Sequence, residues 1–150
     1  MIKKLDIQNR ETARKVLAVQ LPAYQIEAEM IDYWDLPPLK DTEETLQACN
    51  ELFFGWYADE DSQLGGVISF KKKGDVIDIH RLVVHPGHFR KGGAGELLRY
   101  LEETYKGYVF QVSTGSKNEP AIRLYVKHGF RERERIKVDD RLEISCFEKG

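Results

Sequence analysis

Hydrophobic positions in the first fifty residues predict one strand and two helices. IKKLDI has the pattern of a short strand, and apolar residues in the following ETARKVLAVQ recur at spacings of three and four, which predicts a helix. Residues 22–41 mix aromatic and acidic side chains and contain Pro37-Pro38, so we expect part of this segment to be helical and its end to be an irregular loop. DTEETLQACN then offers Asp41 or Thr42 as an N-cap and predicts a second helix.

The pattern changes to strands in the middle of the chain. Runs with strand-like composition extend over Leu52 to Ala58, Leu64 to Lys71 and Val76 to Val84. The polar stretches DEDSQ and KKKGD separate these runs and are typical of hairpin connections. We therefore predict three successive antiparallel strands, with the three lysines of KKKGD in a solvated turn.

Helical and strand patterns alternate in the rest of the chain. A glycine-rich stretch, HPGHFRKGGAGELL (residues 85–98), leads into a helix that ends near Gly107. YVFQVST predicts a strand, and NEPAIRLYVKHGF predicts a helix with Asn118 near its start and Gly129 at its C-cap. FRERERIKV and RLEISCFEK alternate and are joined by Asp139-Asp140, which predicts a closing hairpin.

These elements give the order β-α-α-β-β-β-α-β-α-β-β without an internal repeat or a low-complexity linker. A chain of 150 residues with 41% hydrophobic side chains suits one domain with a substantial core. We therefore predict a single α/β domain over residues 1–150, with an α+β arrangement in which a mixed sheet of about seven strands is flanked by about four helices.

Charge and cysteine content narrow the classes of function. The chain has 23 Lys plus Arg against 25 Asp plus Glu, so no overall field favours nucleic acid or a membrane as partner. No signal-peptide pattern opens the sequence and no segment approaches the roughly 18 apolar residues of a membrane span, so we expect a cytoplasmic protein. Cys49 and Cys146 lack CxxC or metal-ligand spacing, and we interpret them as reduced packing residues without a metal.

The stretch HPGHFRKGGAGELL has the features of an anion site. A glycine-rich turn before a helix presents unpaired N–H groups and the positive end of the helix dipole, and Arg90 and Lys91 lie beside it. A Walker loop does not fit, because Gly93 stands where that loop has lysine. A dinucleotide fingerprint does not fit either, because Leu98 stands at its third glycine. Spacing alone leaves open both an anion site and a purely structural turn.

LVVHPGHFRKGGAGELL resembles the acyl-CoA-binding signature of the GNAT superfamily of N-acetyltransferases, in which a strand and a proline lead into Q/R-x-x-G-x-G/A at a helix start. Gly92 and Ala94 take the glycine and G/A positions, whereas Phe89 stands where the family usually has Gln or Arg. NEPAIRLYVKHGF similarly resembles the family's N-x-x-A-x-x-L-Y-x-x-x-G-F segment. The resemblance covers about residues 50–148, and the first 50 residues correspond only in type.

The resemblance implies a mostly antiparallel, twisted central sheet that is splayed between strands 4 and 5. It also implies an acetyl-CoA-binding core over residues 51–148, a variable substrate-side region over residues 1–50, and acetyl-CoA as co-substrate. Loop amides would bind the pyrophosphate, the fourth strand would pair with the pantetheine arm, and an N–H near Val83 or Val84 would polarise the thioester carbonyl. The coenzyme-binding residues implied are Leu82, Val83, Val84, Arg90, Lys91, Gly92, Gly93, Ala94, Gly95, Asn118 and Tyr125.

Three residues are candidates for proton transfer. Tyr125 lies at the position of the family's general-acid tyrosine. Asp78, His80, Leu82 and Val84 are predicted by alternation to share one face of their strand. Because imidazole titrates near neutrality, His80 is the first choice of base, and Asp78 would orient it or act through water. An exposed pair without a catalytic role stays open.

The resemblance implies an acetyl-CoA-dependent N-acetyltransferase, monomeric or homodimeric, that acts on a primary amine of a small molecule or peptide by direct transfer in a ternary complex. Acidic residues near the expected acceptor side favour a cationic amine. Within residues 22–50 they are Glu27, Glu29, Asp32, Asp35, Asp41, Glu43 and Glu44, and Lys40 is the only Lys or Arg there. Two alternatives stay open, a non-catalytic acyl-CoA-binding sensor and a plain nucleotide-binding α/β domain.

Overall fold

A seven-stranded sheet with the order β1-β2-β3-β4-β5-β7-β6 organises the computed structural model, which describes all residues from 1 to 150. Neighbouring strands are antiparallel except β4 and β5, which are parallel. The predicted mixed sheet of seven strands with four helices is confirmed. Its strands are β1 (Ile2–Leu5), β2 (Leu52–Tyr57), β3 (Leu64–Lys73), β4 (Val76–Val84), β5 (Val109–Gly115), β6 (Arg131–Lys137) and β7 (Glu143–Lys149). Its α-helices are α1 (Arg10–Ile31), α2 (Glu43–Gln47), α3 (Gly93–Thr104) and α4 (Glu119–Lys127).

Helix α1 includes the helix predicted over ETARKVLAVQ and continues into residues 22–41, part of which was expected to be helical. It begins after Asn9, whose side chain accepts a hydrogen bond from the Thr12 amide, and it ends at Asp32 in the left-handed conformation, with Pro22 inside. Proline removes one hydrogen bond from a helix interior, a cost that packing of the whole helix outweighs here. The buried stripe runs without a break from Ala13 to Ile31.

The helices cover the two faces of the sheet in pairs. Alternate residues of β2 and β3 point to opposite faces, so Phe54 and Ile68 join one core cluster whereas Phe53 and Val67 join the other. Helices α3 and α4 pack on the first cluster, which has 14 buried residues. Helices α1 and α2 pack on the second cluster, which has seven. The C-terminal half of α1 adds a third cluster of four buried residues.

The structure also describes the environment of the two cysteines and the character of the helices. Cys49 and Cys146 are free and partly buried, and burial raises the pKa of the Cys49 thiol. None of the helices has both the length and the apolar character needed to cross a membrane.

Candidate active site

Strands β4 and β5 separate in the middle of the sheet. They pair over four positions, from Val76 with Val109 to Ile79 with Val112. Beyond Val112 the other edge of β5 continues to pair with β7 as far as Gly115. The edges of β4 and β5 that face each other are therefore unpaired over the second half of both strands, and a gap opens between them.

Backbone direction decides which amides of β4 face this gap. The His85 amide donates to the Gly65 carbonyl oxygen at 2.8 Å. Residues two apart on an antiparallel strand direct their amides the same way, so the Val83 amide also faces β3. The amides of Leu82 and Val84 face the gap. The prediction of Val83 as oxyanion donor is therefore wrong, because its N–H faces β3. Val84 remains the candidate donor.

The loop before α3 leaves its amides free. No amide from Arg90 to Gly95 donates to a backbone carbonyl, whereas the Glu96 amide donates to the Gly92 carbonyl oxygen at 3.0 Å. Two residues with positive φ, Arg90 at 66° and Gly92 at 77°, turn the chain into the helix. The loop thus presents consecutive N–H groups at the positive end of the α3 dipole, beside the exposed side chains of Arg90 and Lys91.

Gly93 is required by packing. A Cβ atom at this position would lie 2.8 Å from Cδ2 of Trp56, whose indole is buried. The backbone of the first turn of α3 can approach β2 this closely only because residue 93 has no side chain. The glycine therefore fixes where the free amides of the loop lie relative to the sheet.

A β-bulge interrupts β4 at His80. Ser69 of β3 pairs with Arg81 and the next residue, Phe70, pairs with Ile79, so that His80 is the extra residue. A bulge bends its strand and changes which way the following side chains point. This feature is invisible to a simple alternation rule.

The bulge corrects the predicted common face of β4. Asp78 and His80 do lie together, with His80 Nε2 3.2 Å from Asp78 Oδ2. Leu82, however, packs on the core cluster that contains Ile79, and Val84 lies beside that cluster, next to Leu97 across Gly66. The prediction that Leu82 and Val84 share the face of Asp78 and His80 was wrong, because the extra residue inverts the alternation.

His80 lies between two carboxylates. Its Nε2 atom is near Asp78, and its Nδ1 atom is 3.4 Å from Oε2 of Glu51. Glu51 is nearly fully buried and was not predicted as a site residue. Both ring nitrogens therefore have a carboxylate oxygen as neighbour.

A buried ion network supports this part of the site. The Arg81 guanidinium donates to Glu51 and, at 3.0 Å, to Asp41. Asp41 also accepts a hydrogen bond from the side chain of buried Gln20 at 2.7 Å. Burial lowers the pKa of Arg81, but the adjacent carboxylates outweigh this effect and the net pKa is raised. Arg81 thus stays a cation that anchors the carboxylate beside His80.

A cavity of about 530 Å³ lies where the sheet opens. Because the sheet is split here, residues from both helical layers reach the cavity, with Tyr24 and Glu27 from α1 and Tyr125 from α4. The predicted site residues that line it are His80, Leu82, Asn118 and Tyr125. Those that do not are Asp78, Val83, Val84 and Arg90 to Gly95. A second concavity of about 410 Å³, near Tyr108, contains none of the predicted site residues.

Tyr125 presents a free hydroxyl to this cavity. Its ring packs against Phe130 and Phe147 with centroids 5.7 Å away, and only 4% of the residue is exposed. The hydroxyl has no hydrogen-bond partner in the protein, yet it is not sealed from the cavity. Burial, and after it the charge of Glu27, raises the pKa of Tyr125. The phenol therefore keeps its proton at neutral pH.

Asn118 connects three elements around the cavity. Its side-chain oxygen accepts from the Ala121 amide at 3.3 Å and caps α4. Its Nδ2 atom donates to Glu27 at 2.6 Å and to Thr114 Oγ1 at 3.2 Å. All of its polar atoms are thus engaged within the protein.

The seven acidic residues predicted for the acceptor side do not lie together. Only Glu27 and Asp35 of the seven line the cavity. Asp41 belongs to the Arg81 network, and Glu43 and Glu44 pair with Arg10 on the surface. The expected acidic wall is therefore reduced to two carboxylates.

A family profile and a curated protein both match most of this chain. The profile of the acetyltransferase (GNAT) family matches residues 15–130. UPF0157 protein YqkA of Bacillus subtilis (strain 168) is 37% identical over 148 residues, which are 98% of this chain and 43% of YqkA. The chain therefore spans less than half the length of that curated relative.

Solved structures show the same fold. The ribosomal-protein-S18-alanine N-acetyltransferase from Escherichia coli has a TM-score of 0.76 at 17% identity, covering 99% of this chain and 91% of that chain. PaiA N-acetyltransferase from Thermoplasma acidophilum, in complex with coenzyme A, has a TM-score of 0.76 at 21% identity, covering 97% and 96%.

Proposed function

The chain belongs to the acetyltransferase (GNAT) family, and we propose that it is an N-acetyltransferase that moves an acetyl group from acetyl-CoA to a primary amine by direct transfer in a ternary complex. Two structural features together support the proposal. Six consecutive free amides lie at the start of α3 and in the loop that connects it to β4, and the edge of β4 towards β5 is unpaired beyond Ile79. Together they suit a ligand with a phosphate-bearing end and an extended, amide-containing arm.

The residues present fit coenzyme A by their chemistry. The amides of Arg90 to Gly95 and the α3 dipole would hold the pyrophosphate, with Arg90 and Lys91 adding charge. The free amides of Leu82 and Val84 would pair with the pantetheine arm between β4 and β5. Phe89 cannot make the polar contact that Gln or Arg makes in relatives, but a backbone cradle does not depend on it.

Two groups would act on the reacting thioester. Bound acetyl-CoA supplies a thioester whose carbonyl carbon is attacked by the amine nitrogen while its carbon–sulfur bond breaks. The Val84 N–H, which faces the gap, would donate a hydrogen bond to the carbonyl oxygen as negative charge develops there. Tyr125 would give its hydroxyl proton to the departing sulfur. Asn118 has its polar atoms engaged within the protein, and we propose that it positions Tyr125 through the α4 cap.

His80 would take the proton that the amine loses. A neutral imidazole has one N–H, which can donate to one of the two carboxylates beside it, Asp78 or Glu51. The other nitrogen accepts the proton, and the imidazolium then donates to both carboxylates. His80 lines the cavity and Asp78 does not, so we assign the base role to His80 and an orienting role to Asp78.

The proposal is tested by thiol release from acetyl-CoA across a panel of primary amines, with the Tyr125→Phe variant measured in parallel. We expect release with at least one amine and a loss of kcat of about 100-fold or more in Tyr125→Phe, with unchanged acetyl-CoA affinity. Tyr100→Phe is the matched control, because Tyr100 is exposed on α3.

Three results would contradict the proposal or one of its parts. Acetyl-CoA binding without thiol release from any amine would indicate a sensor. Tight binding of ATP or NAD without coenzyme A binding would indicate a nucleotide-binding domain. An unchanged rate in Tyr125→Phe would remove the acid role of this residue.

A further inference from the structure

Helix α1 closes the cavity on the side opposite Tyr125. Tyr24 and Glu27 are one turn apart, so they lie on the same face of the helix, and both line the cavity. The helix approaches β5 closely, because a Cβ atom on Gly115 would be only 3.1 Å from Cδ1 of Ile31. This contact fixes the position of the face that carries Tyr24 and Glu27.

Glu27 is the one carboxylate in the cavity without a cation beside it. Its hydrogen-bond partner is the neutral amide of Asn118, at 2.6 Å. The other acidic residue that lines the cavity, Asp35, is paired with Lys40. Burial raises the pKa of Glu27, and the Asn118 hydrogen bond offsets part of this effect. A ligand that brings an ammonium group or an amine N–H would relieve this incomplete pairing.

Tyr24 is a second polar group that points to a ligand. Only 7% of it is exposed, its hydroxyl has no hydrogen-bond partner in the protein, and it lines the same cavity. The hydroxyl oxygen is not sealed from the cavity, so a ligand there can reach it. The Glu27 carboxylate and the Tyr24 hydroxyl therefore form a two-point polar site on one helix face.

The rest of this part of the cavity has an apolar wall beside Asp35 and lacks a cation that is free to bind an anion. Arg81 is the only Lys or Arg that lines it, and its charge is met by Asp41 and Glu51. The apolar residues on the acceptor side are Leu36, Pro37, Val138, Leu142 and Ile144. A substrate carboxylate would find no partner there, and a second ammonium group would find only Asp35, which is already paired with Lys40.

We propose that Glu27 and Tyr24 form the acceptor site, and that this site takes a primary monoamine on an uncharged aliphatic or arylalkyl body. The inference rests on the proposed N-acetyltransferase function. Glu27 accepts a hydrogen bond from the amine, Tyr24 makes the second polar contact, and the apolar wall holds the body. Proton removal stays with His80.

Two substrate pairs of matched size test the chemical class. 2-Phenylethylamine differs from phenylalanine by the carboxylate, and hexylamine differs from 1,5-diaminopentane by one terminal group. We expect kcat/KM to be about tenfold or more higher for the first member of each pair, because a buried charge without a partner is strongly disfavoured. Equal or better turnover of phenylalanine or the diamine would overturn the assignment.

Variants on α1 test the two residues. Glu27→Gln is expected to raise KM for 2-phenylethylamine by about tenfold or more, and Tyr24→Phe by a smaller factor, with acetyl-CoA affinity unchanged. Glu29→Gln is the control, because Glu29 is exposed on the same helix and does not line the cavity. If Glu27→Gln and Glu29→Gln behave alike, Glu27 is not the acceptor residue.

Calorimetric titration of 2-phenylethylamine into the protein saturated with coenzyme A separates this inference from the proposed function. Absence of thiol release with every amine contradicts the transferase. Amine binding that is present in the unaltered protein and lost in Glu27→Gln would still support the acceptor site. Absence of amine binding to the unaltered protein would overturn the site whatever the outcome for activity.

Discussion

Among single residues, Arg81 holds together a buried ion network, so its substitution is expected to destabilise the fold. It is buried, contacts two carboxylates and lies over the ring of Phe53 at 5.6 Å. Removing one partner of a buried ion pair leaves uncompensated charge, which costs far more than loss of a surface pair. The network therefore holds the Glu51 carboxylate in place beside His80.

We predict that Arg81→Met lowers the free energy of unfolding by about 3 to 5 kcal/mol. The matched control is Arg133→Met, which breaks an exposed pair with Glu148 and is expected to change stability by less than about 1 kcal/mol. Urea denaturation of the two variants measures both. A loss below about 1 kcal/mol in Arg81→Met would mean that the buried carboxylates need no cation.

The charged carboxylate of Glu27 is expected to lower the free energy of unfolding at neutral pH. Its pKa is raised in the folded state, so the protonated form is favoured by folding. The stabilising contribution is fully present below the unfolded pKa of about 4.3 and is lost as pH rises through the raised folded pKa. Glu27→Gln keeps an oxygen for Asn118 and removes the buried charge.

We predict that Glu27→Gln is more stable than the unaltered protein at pH 7, by about 1 kcal/mol or roughly 2 to 4 °C in Tm. The difference should shrink as pH is lowered towards the unfolded pKa. Differential scanning calorimetry over a pH series gives the result. A variant that is less stable at pH 7, or a difference that does not change with pH, would contradict a raised pKa.

Sequence patterns located some of these residues and could not locate others. Tyr125 and Gly92 lie in local motifs that can be read along the chain. Glu27 and Asn118 are 91 positions apart and meet only because α1 crosses the opening of the sheet. Glu51 lies next to a strand start that has no distinctive local pattern.

At the scale of elements, the loop between β4 and α3 makes its own contribution to coenzyme binding. Most of its predicted binding groups are backbone amides, which substitution of side chains leaves in place. Lys91 is exposed and adds charge near the helix start. Its effect should therefore be modest and sensitive to salt.

We predict that Lys91→Ala weakens acetyl-CoA binding about threefold to tenfold at about 0.01 M ionic strength, where the Debye length is about 30 Å. The effect should nearly vanish at about 1 M, where that length is about 3 Å. Calorimetry at the two ionic strengths tests this, with Lys106→Ala as control, since Lys106 is exposed beyond the other end of α3. Equal losses in both variants would argue against anion binding at the loop.

Strand β4 and helix α1 both have features that hydrophobic periodicity does not predict. Strand β4 was predicted with the correct limits, but its bulge at His80 depends on pairing with β3 and leaves no signature in the β4 sequence alone. The mixed composition of residues 22–41 predicted only that part of this segment is helical, without a limit, and α1 continues through it to Ile31. Ala28 and Ile31 are buried in a core cluster, and this packing stabilises the C-terminal half of the helix.

At the scale of the whole molecule, one opening in the sheet brings the two helical layers together. The coenzyme-binding residues belong to β4, the loop and α3, which follow each other in the chain and resemble known motifs. The proposed acceptor residues belong to α1, on the other face of the sheet. The cavity between them exists only because β4 and β5 pair over four positions.

Acetyl transfer is tested most directly with acetyl-CoA labelled in its acetyl carbons and a primary amine, by mass spectrometry of the amine and thiol titration of the same sample. We expect the label on the amine nitrogen, with equal amounts of acetylated amine and free coenzyme A thiol, because the carbon–nitrogen bond forms as the carbon–sulfur bond breaks. Thiol release without labelled amide, or coenzyme binding with neither product, would contradict an N-acetyltransferase.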